Sequence, residues 1–188
     1  QVTAFAEPGK TLEGTRKETV IFIEVDRQTS KSDIETLTKE LHSVVDEVSL
    51  AVADWQDMTG KLQTVIKDTA KFNWPVSAAH KKQTKTFLEW LSDHNFTMMG
   101  YRYYEVKAIE GDHRWIPAND TSLGLLKNSI NDRERLLSKL PASAREEALS
   151  DHPLILTKTN SRSRVHRPAY MDYVGVKVFN KDGNVVGE

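Results

Sequence analysis

The chain has 188 residues, with 26 Lys and Arg against 27 Asp and Glu, a formal net charge of −1. A balance this close to neutral excludes the basic excess of a general nucleic-acid binder. The absence of cysteine removes disulfide frameworks, Cys-based zinc sites and thiol nucleophiles together, and it fits a reducing compartment.

Hydrophobic residues make up 38% of the chain, enough for a core, and the length suits one domain or two small ones. The longest uncharged apolar run, Val20 to Ile23, is far short of a membrane span. No basic-then-apolar leader opens the chain, so the expectation is a soluble, cytoplasmic protein with no membrane partner. The first residue is Gln1, and Val185 to Glu188 read as a strand that has just begun, so a piece of a longer protein is expected.

Residues 2–6 read as a short strand and 7–18 as a polar loop. Thr19 to Val25 is a β-rich apolar run and predicts a strand. Ser32 and Glu35 fit a capping box, and apolar residues at Ile34, Leu37, Leu41, Val44, Val45 and Val48 fall at helical steps, which predicts a helix over 33–46. Val48, Leu50 and Val52 alternate. They suit a strand over 48–53 followed by a helix over 55–69, or a continuation of the first helix; the strand is favoured.

Pro75 sets a boundary at Trp74. A helix over 77–94 follows, with Val76, Ala79, Gln83, Phe87, Trp90 and Leu91 on its apolar side. Phe96 to Lys107 predicts a long aromatic strand, Glu110 to Asp112 a turn, and Arg114 to Pro117 a return strand. After a loop at 119–127 come short helices at 131–139 and 142–149, separated by Pro141. Strands over 154–159 and 170–179 flank a basic loop at 160–168, and Asp182-Gly183 marks a closing hairpin. Helices gathered around antiparallel strands make the fold class α+β.

The six histidines are scattered without metal-ligand spacing, and the chain has no G-x-G-x-x-G, Walker A or G-x-S-x-G pattern. The concentrated charge feature is the run that holds Lys158, Arg162, Arg164, His166 and Arg167. Arginine forks beside Asn160, Ser161 and Ser163 suit carboxylate or phosphate, which makes these five residues a candidate anion, effector or docking loop. A solvated loop paired with acidic neighbours is the alternative. The aromatic strand around Tyr101, Tyr103 and Tyr104 could line a small-molecule pocket, but aromatics there more often pack a helix onto a sheet.

Several ordered segments carry a resemblance. They include Ile23-Glu24-Val25-Asp26-Arg27-Gln28, the run Phe87-Leu88-Glu89-Trp90-Leu91-Ser92-Asp93-His94-Asn95-Phe96, and Leu154 through Pro168, continuing from Tyr170-Met171-Asp172-Tyr173 to Glu188. Together they resemble the large bacterial NAD-dependent glutamate dehydrogenases. The resemblance implies a parent that oxidises L-glutamate with NAD to 2-oxoglutarate and ammonium. It places this chain in the parent's N-terminal region, ahead of the catalytic domain. It further implies the C-terminal part of an ACT-like domain over 1–53, a connecting helix over 54–71, and a PAS-like domain over 72–188, truncated at its C-terminal end. On that reading the chain is a regulatory or assembly segment that carries no catalytic residue, no metal and no cofactor of its own, NAD being the parent's. Its partners are the rest of the parent chain, neighbouring subunits, and a small anionic or amino-acid effector. A stand-alone sensor or adaptor is the rival reading, and an enzyme built on the aromatic strand and basic loop a third.

Overall fold

The computed structural model describes residues 20–118, 120–127 and 134–188. The predicted strand at 2–6, the loop at 7–18 and the opening of the 131–139 helix lie outside the described residues. By contacts the chain divides into two units, 1–37 and 38–188.

In the first unit, Val20 to Ser30 carry no regular structure, which corrects the strand predicted over Thr19–Val25. A strand persists only when its ladder groups are paired, and no described residue pairs with this run. Helix α1 then runs over Lys31–Asp68 without a break. Ser30, not Ser32, caps it: the Ser30 hydroxyl accepts from the Asp33 amide at 3.4 Å, and the Ser30 carbonyl accepts from Ile34 at 3.2 Å.

The strand predicted over 48–53 is helix, and the two helices expected around it are one. Five alternating residues cannot outvote apolar positions that recur every three or four residues on either side. No proline interrupts the segment. Ser49 and Thr59 satisfy their hydroxyls inside the helix, donating to the carbonyls of Val45 and Trp55, both at 2.8 Å.

One 3-10 turn, Thr69–Lys71, leads to helix α2, Ala78–Trp90, capped by Ser77, whose hydroxyl accepts from the His80 amide. A wide turn over Leu91–Asn95 closes it, with His94 at φ 57. Its buried side is Thr84, Leu88 and Leu91. Trp90 is 52% exposed and stacks on Phe87, so it does not belong to the core as predicted. The 4-then-3 spacing of Thr84, Leu88 and Leu91 sets the packing face, and Trp90 falls beside it.

The aromatic stretch divides into β1, Gly100–Tyr101, and β2, Tyr104–Ile109. Strand β3, Asp112–Pro117, returns from β2 through Glu110 and Gly111, both at positive φ, the geometry a two-residue hairpin needs. Then come β4, Leu123–Gly124, and β5, Arg135–Leu136. Leu137–Lys139 form a 3-10 turn, so the described part of the predicted 131–139 helix is strand and turn instead. Helix α3 is Ala142–Leu149. It is followed by β6, Leu154–Arg162; β7, Tyr170–Val176; β8, Val178–Phe179; and β9, Val185–Gly187.

The described strands form an antiparallel sheet in the order β5-β3-β2-β9-β8 and two separate pairs, β1-β4 and β6-β7. The fold is α+β, with helices packed on antiparallel sheets. The core joins Leu88 of α2 and Leu91 of the turn that closes it to Tyr104, Val106, Trp115, Phe179 and Val185 of the sheet, with Trp74 in the same cluster. The Trp74 indole donates to the Lys177 carbonyl at 2.7 Å. The segment Val185–Gly187, expected to be an unfinished partner, is an interior strand between β2 and β8.

Helix α1 is seated on the β1–β4 pair by Asp54, which is only 5% exposed. Its carboxylate accepts from the Gly124 amide at 2.7 Å and the Lys127 ammonium at 2.8 Å. The Lys127 hydrogen bond, then the Gly124 amide, hold the Asp54 carboxyl below the usual range. Gly124 sits at φ +60, and a Cβ there would strike the Met99 carbonyl and crowd Met58 of α1. Buried Arg102 braces the same loop by donating to the Ser122 hydroxyl and the Leu126 carbonyl.

Candidate functional site: the basic hairpin loop

Strands β6 and β7 form a long hairpin, and the first residues of the predicted basic loop extend β6 to Arg162. The remainder is a tight crossing. Ser163 donates its amide to the Ala169 carbonyl at 2.8 Å, and its hydroxyl bonds the Val165 carbonyl. Ser163 and Val165 are buried while Arg162, Arg164 and His166 are exposed, so alternation puts the basic side chains outward. His166 takes φ +69 at the crossing, and the Arg167 amide donates to the Val165 carbonyl at 2.9 Å.

The five residues do not converge on one point. Lys158 lies directly opposite Asp172 in the ladder and pairs with it on the surface. Arg162 lies opposite Tyr170 with its guanidinium 5.2 Å from the ring centroid, a cation–π contact. Arg164 reaches helix α1. One guanidinium nitrogen donates to Glu40 at 2.9 Å, and the other donates to the Ser43 hydroxyl at 2.8 Å and to Glu47. Glu47 first, then Glu40, raises the Arg164 pKa above the ordinary guanidinium value.

Glu40, Ser43 and Glu47 are partners that the sequence reading missed. Their spacing of three and then four puts them on one side of α1, and that periodicity was the available signal. Between this side of α1 and the hairpin lies a cleft of about 380 Å³. Asp46, Glu47 and Ser43 line it from the helix, and Arg162, Arg164 and Met171 from the hairpin. Two carboxylates face two guanidiniums, so the cleft is a balanced dipolar surface. A simple anion would have to compete with Glu40 and Glu47 for Arg164. Among the described residues, no group of three or more His, Asp or Glu could hold a metal ion, and no helix is long and apolar enough to cross a membrane.

Comparison with known proteins bears on what this hairpin and its helix are part of. No family model and no solved structure matches the chain. The NAD-specific glutamate dehydrogenase of Halomonas elongata is 30% identical over 185 residues, 97% of this chain. The chain is similar to part of the NAD-specific glutamate dehydrogenases. The enzyme of the same name from Pseudomonas aeruginosa is 30% identical over 176 residues, 92% of this chain. The chain spans only 12% and 11% of the length of these two relatives.

Proposed function

We propose that this chain is a non-catalytic regulatory and assembly segment from the N-terminal region of a larger, cytoplasmic NAD-dependent glutamate dehydrogenase. The parent would oxidise L-glutamate to 2-oxoglutarate and ammonium with NAD bound outside this segment. The observation that carries the reading is a match over 97% of this chain that takes up 12% of the relative. The polar side chains add support. Asp54, Arg102, Arg164 and Lys177 each bond across elements, the use expected of groups that brace a scaffold. The PAS-like reading of 72–188 draws on the five-stranded antiparallel sheet, in which the β2–β3 hairpin lies beside the β8–β9 hairpin, with α3 and the β6–β7 pair between them in the chain. The ACT-like reading of 1–53 keeps the start of its helix, but loses the strand over 19–25 as well as the strand over 48–53.

Within this segment the cleft between α1 and the hairpin is the effector site. Its paired charges suit a zwitterion: the carboxylate of an α-amino acid on Arg162, its ammonium on Asp46. A thermal-shift screen of amino acids, dicarboxylates and nucleotides tests this. An amino acid should raise the melting temperature of the wild type, and Arg162→Ala should lose that shift. No stabilisation by any of them ends the effector reading. NADH formation from NAD and L-glutamate by the purified 188-residue chain ends the non-catalytic one.

A further inference from the structure

The cleft between α1 and the basic hairpin changes character along its length. Ser43, Asp46, Glu47 and Leu50 line it from the helix, at steps of three, one and three that keep them on one side. Read toward the helix C-terminus, that side turns from charged to apolar at Leu50, about 6 Å beyond Asp46 at 1.5 Å per residue. The opposite wall turns in the same direction. At the charged end Arg164 bonds Glu40, Ser43 and Glu47. One turn past Leu50, Asp54 accepts from the Gly124 amide. That bond sets Leu125, the next residue, at the Leu50 end, and the Leu125 amide is fixed by the Met99 carbonyl at 2.9 Å. Met171 of β7 adds a further apolar side chain to the lining. Leu50, Leu125 and Met171 are all partly buried.

The charges that remain for a ligand are few. Arg164 is committed to Glu40 and Glu47, and Lys127 to Asp54 at 2.8 Å. Among the described residues, Asp46 and Arg162 line the cleft without an ion-pair partner. An α-amino acid with its ammonium on Asp46 and its carboxylate on Arg162 has its side chain directed one helical turn on, toward Leu50 and Leu125. An acidic side chain there would lose water against aliphatic carbon and gain no donor. A basic one would have to displace Arg164 from Glu47. An apolar one gains by leaving water. The volume, about 380 Å³, is at the small end of the range of about 300–1,000 Å³ for ligand sites and suits a single amino acid.

We propose that the cleft takes an α-amino acid with an extended apolar side chain, of about methionine length, and rejects the acidic amino acids, glutamate included. The inference rests on, and narrows, the reading of the cleft as an amino-acid effector site.

Methionine, glutamine and glutamate have side chains of nearly equal length and differ in polarity, so their binding to the 188-residue chain, measured by calorimetry, isolates the apolar end. Methionine should bind about ten-fold or more tightly than glutamine, glutamate or alanine, the last being too short to reach Leu50. Leu50→Lys should weaken methionine about ten-fold or more and strengthen glutamate. Leu125→Gln should weaken methionine as well, and it serves as the second variant where Leu50→Lys lowers the urea midpoint. Glutamate, glutamine or lysine binding as tightly as methionine overturns the apolar class and leaves the effector cleft standing. Methionine binding that survives both substitutions undiminished puts the ligand elsewhere and also overturns the inference. Absence of binding by every one of these amino acids ends the effector reading and this inference with it.

Discussion

Lys177, between β7 and β8, bonds the end of α3, and Arg164, in the loop between β6 and β7, bonds α1, in opposite surroundings. Lys177 is 0% exposed. Its ammonium donates to the carbonyls of Glu147 and Ser150 at 2.8 and 2.7 Å and to the Ser150 hydroxyl at 3.1 Å. These are neutral acceptors at a helix C-terminus, where the backbone dipoles favour a positive charge. Desolvation pushes the Lys177 pKa down. Arg164 faces two carboxylates in partial contact with water, and its pKa moves up. Formal charge is more abundant around Arg164, yet burial makes Lys177 the costlier group to lose. A buried donor that vanishes orphans its acceptors, whereas water replaces an exposed ion pair.

The largest expected effect follows from that contrast. Lys177→Met removes three hydrogen bonds and takes the ammonium from the partly buried Ser150 carbonyl, while the Glu147 carbonyl keeps the Ser150 amide and hydroxyl. It should cost on the order of 3 kcal/mol, read as a lowered urea midpoint. An unchanged midpoint would erase the distinction between the two cations.

Asp54 stands between the two extremes, buried like Lys177 and paired like Arg164. Its folded-state pKa lies below that of the unfolded chain, so the unfolded state binds the extra proton in acid. The stabilisation is complete above about pH 4 and drains away as the pH falls through the folded value. Asp54→Asn keeps the shape and an acceptor for Gly124 but drops the charge opposite Lys127. Urea midpoints at neutral and acid pH should show a lower plateau and a flatter acid limb. The wild-type pH dependence in this variant would mean that Asp54 does not titrate with folding.

The smallest effect belongs to Arg164→Ala. The melting temperature should drop slightly in dilute buffer and coincide with the wild type in about 1 M salt, where screening acts over roughly 3 Å. A large drop that persists in salt would make the hairpin–helix contact a structural clamp of the same rank as Lys177.

Elements closed by local chemistry were legible in the sequence. Glu110-Gly111 turns β2 into β3 and Asp182-Gly183 closes the last hairpin, because each signal acts within a few residues, whereas the α1 cap was read at Ser32 and lies at Ser30. Where two patterns overlap, local reading failed. Val48, Leu50 and Val52 satisfy both periods, and the helical neighbours on both sides decided. Residue type also could not say which side of α2 faces the sheet, so Trp90 was misplaced. The basic run was legible as a feature, but the partners of Arg164 were not. Glu40 is 124 positions away, and only the fold brings it near.

The place of β9 in the sheet has a consequence for the order of assembly. Strand β2 pairs with β3 across a two-residue turn, but its other edge waits for β9, since Glu105 faces Gly187 about eighty residues on. The contact order of that pairing is high, and such closures are slow. During synthesis at roughly 5–20 residues per second, the open edge of β2 would stand bare for about 4–16 s. An unpaired, partly apolar edge recruits other strands. The nascent hairpin therefore passes through a window in which it is prone to stick to its neighbours. The arrival of β9 in the middle of the sheet ends that window and locks the outer strands at the same time.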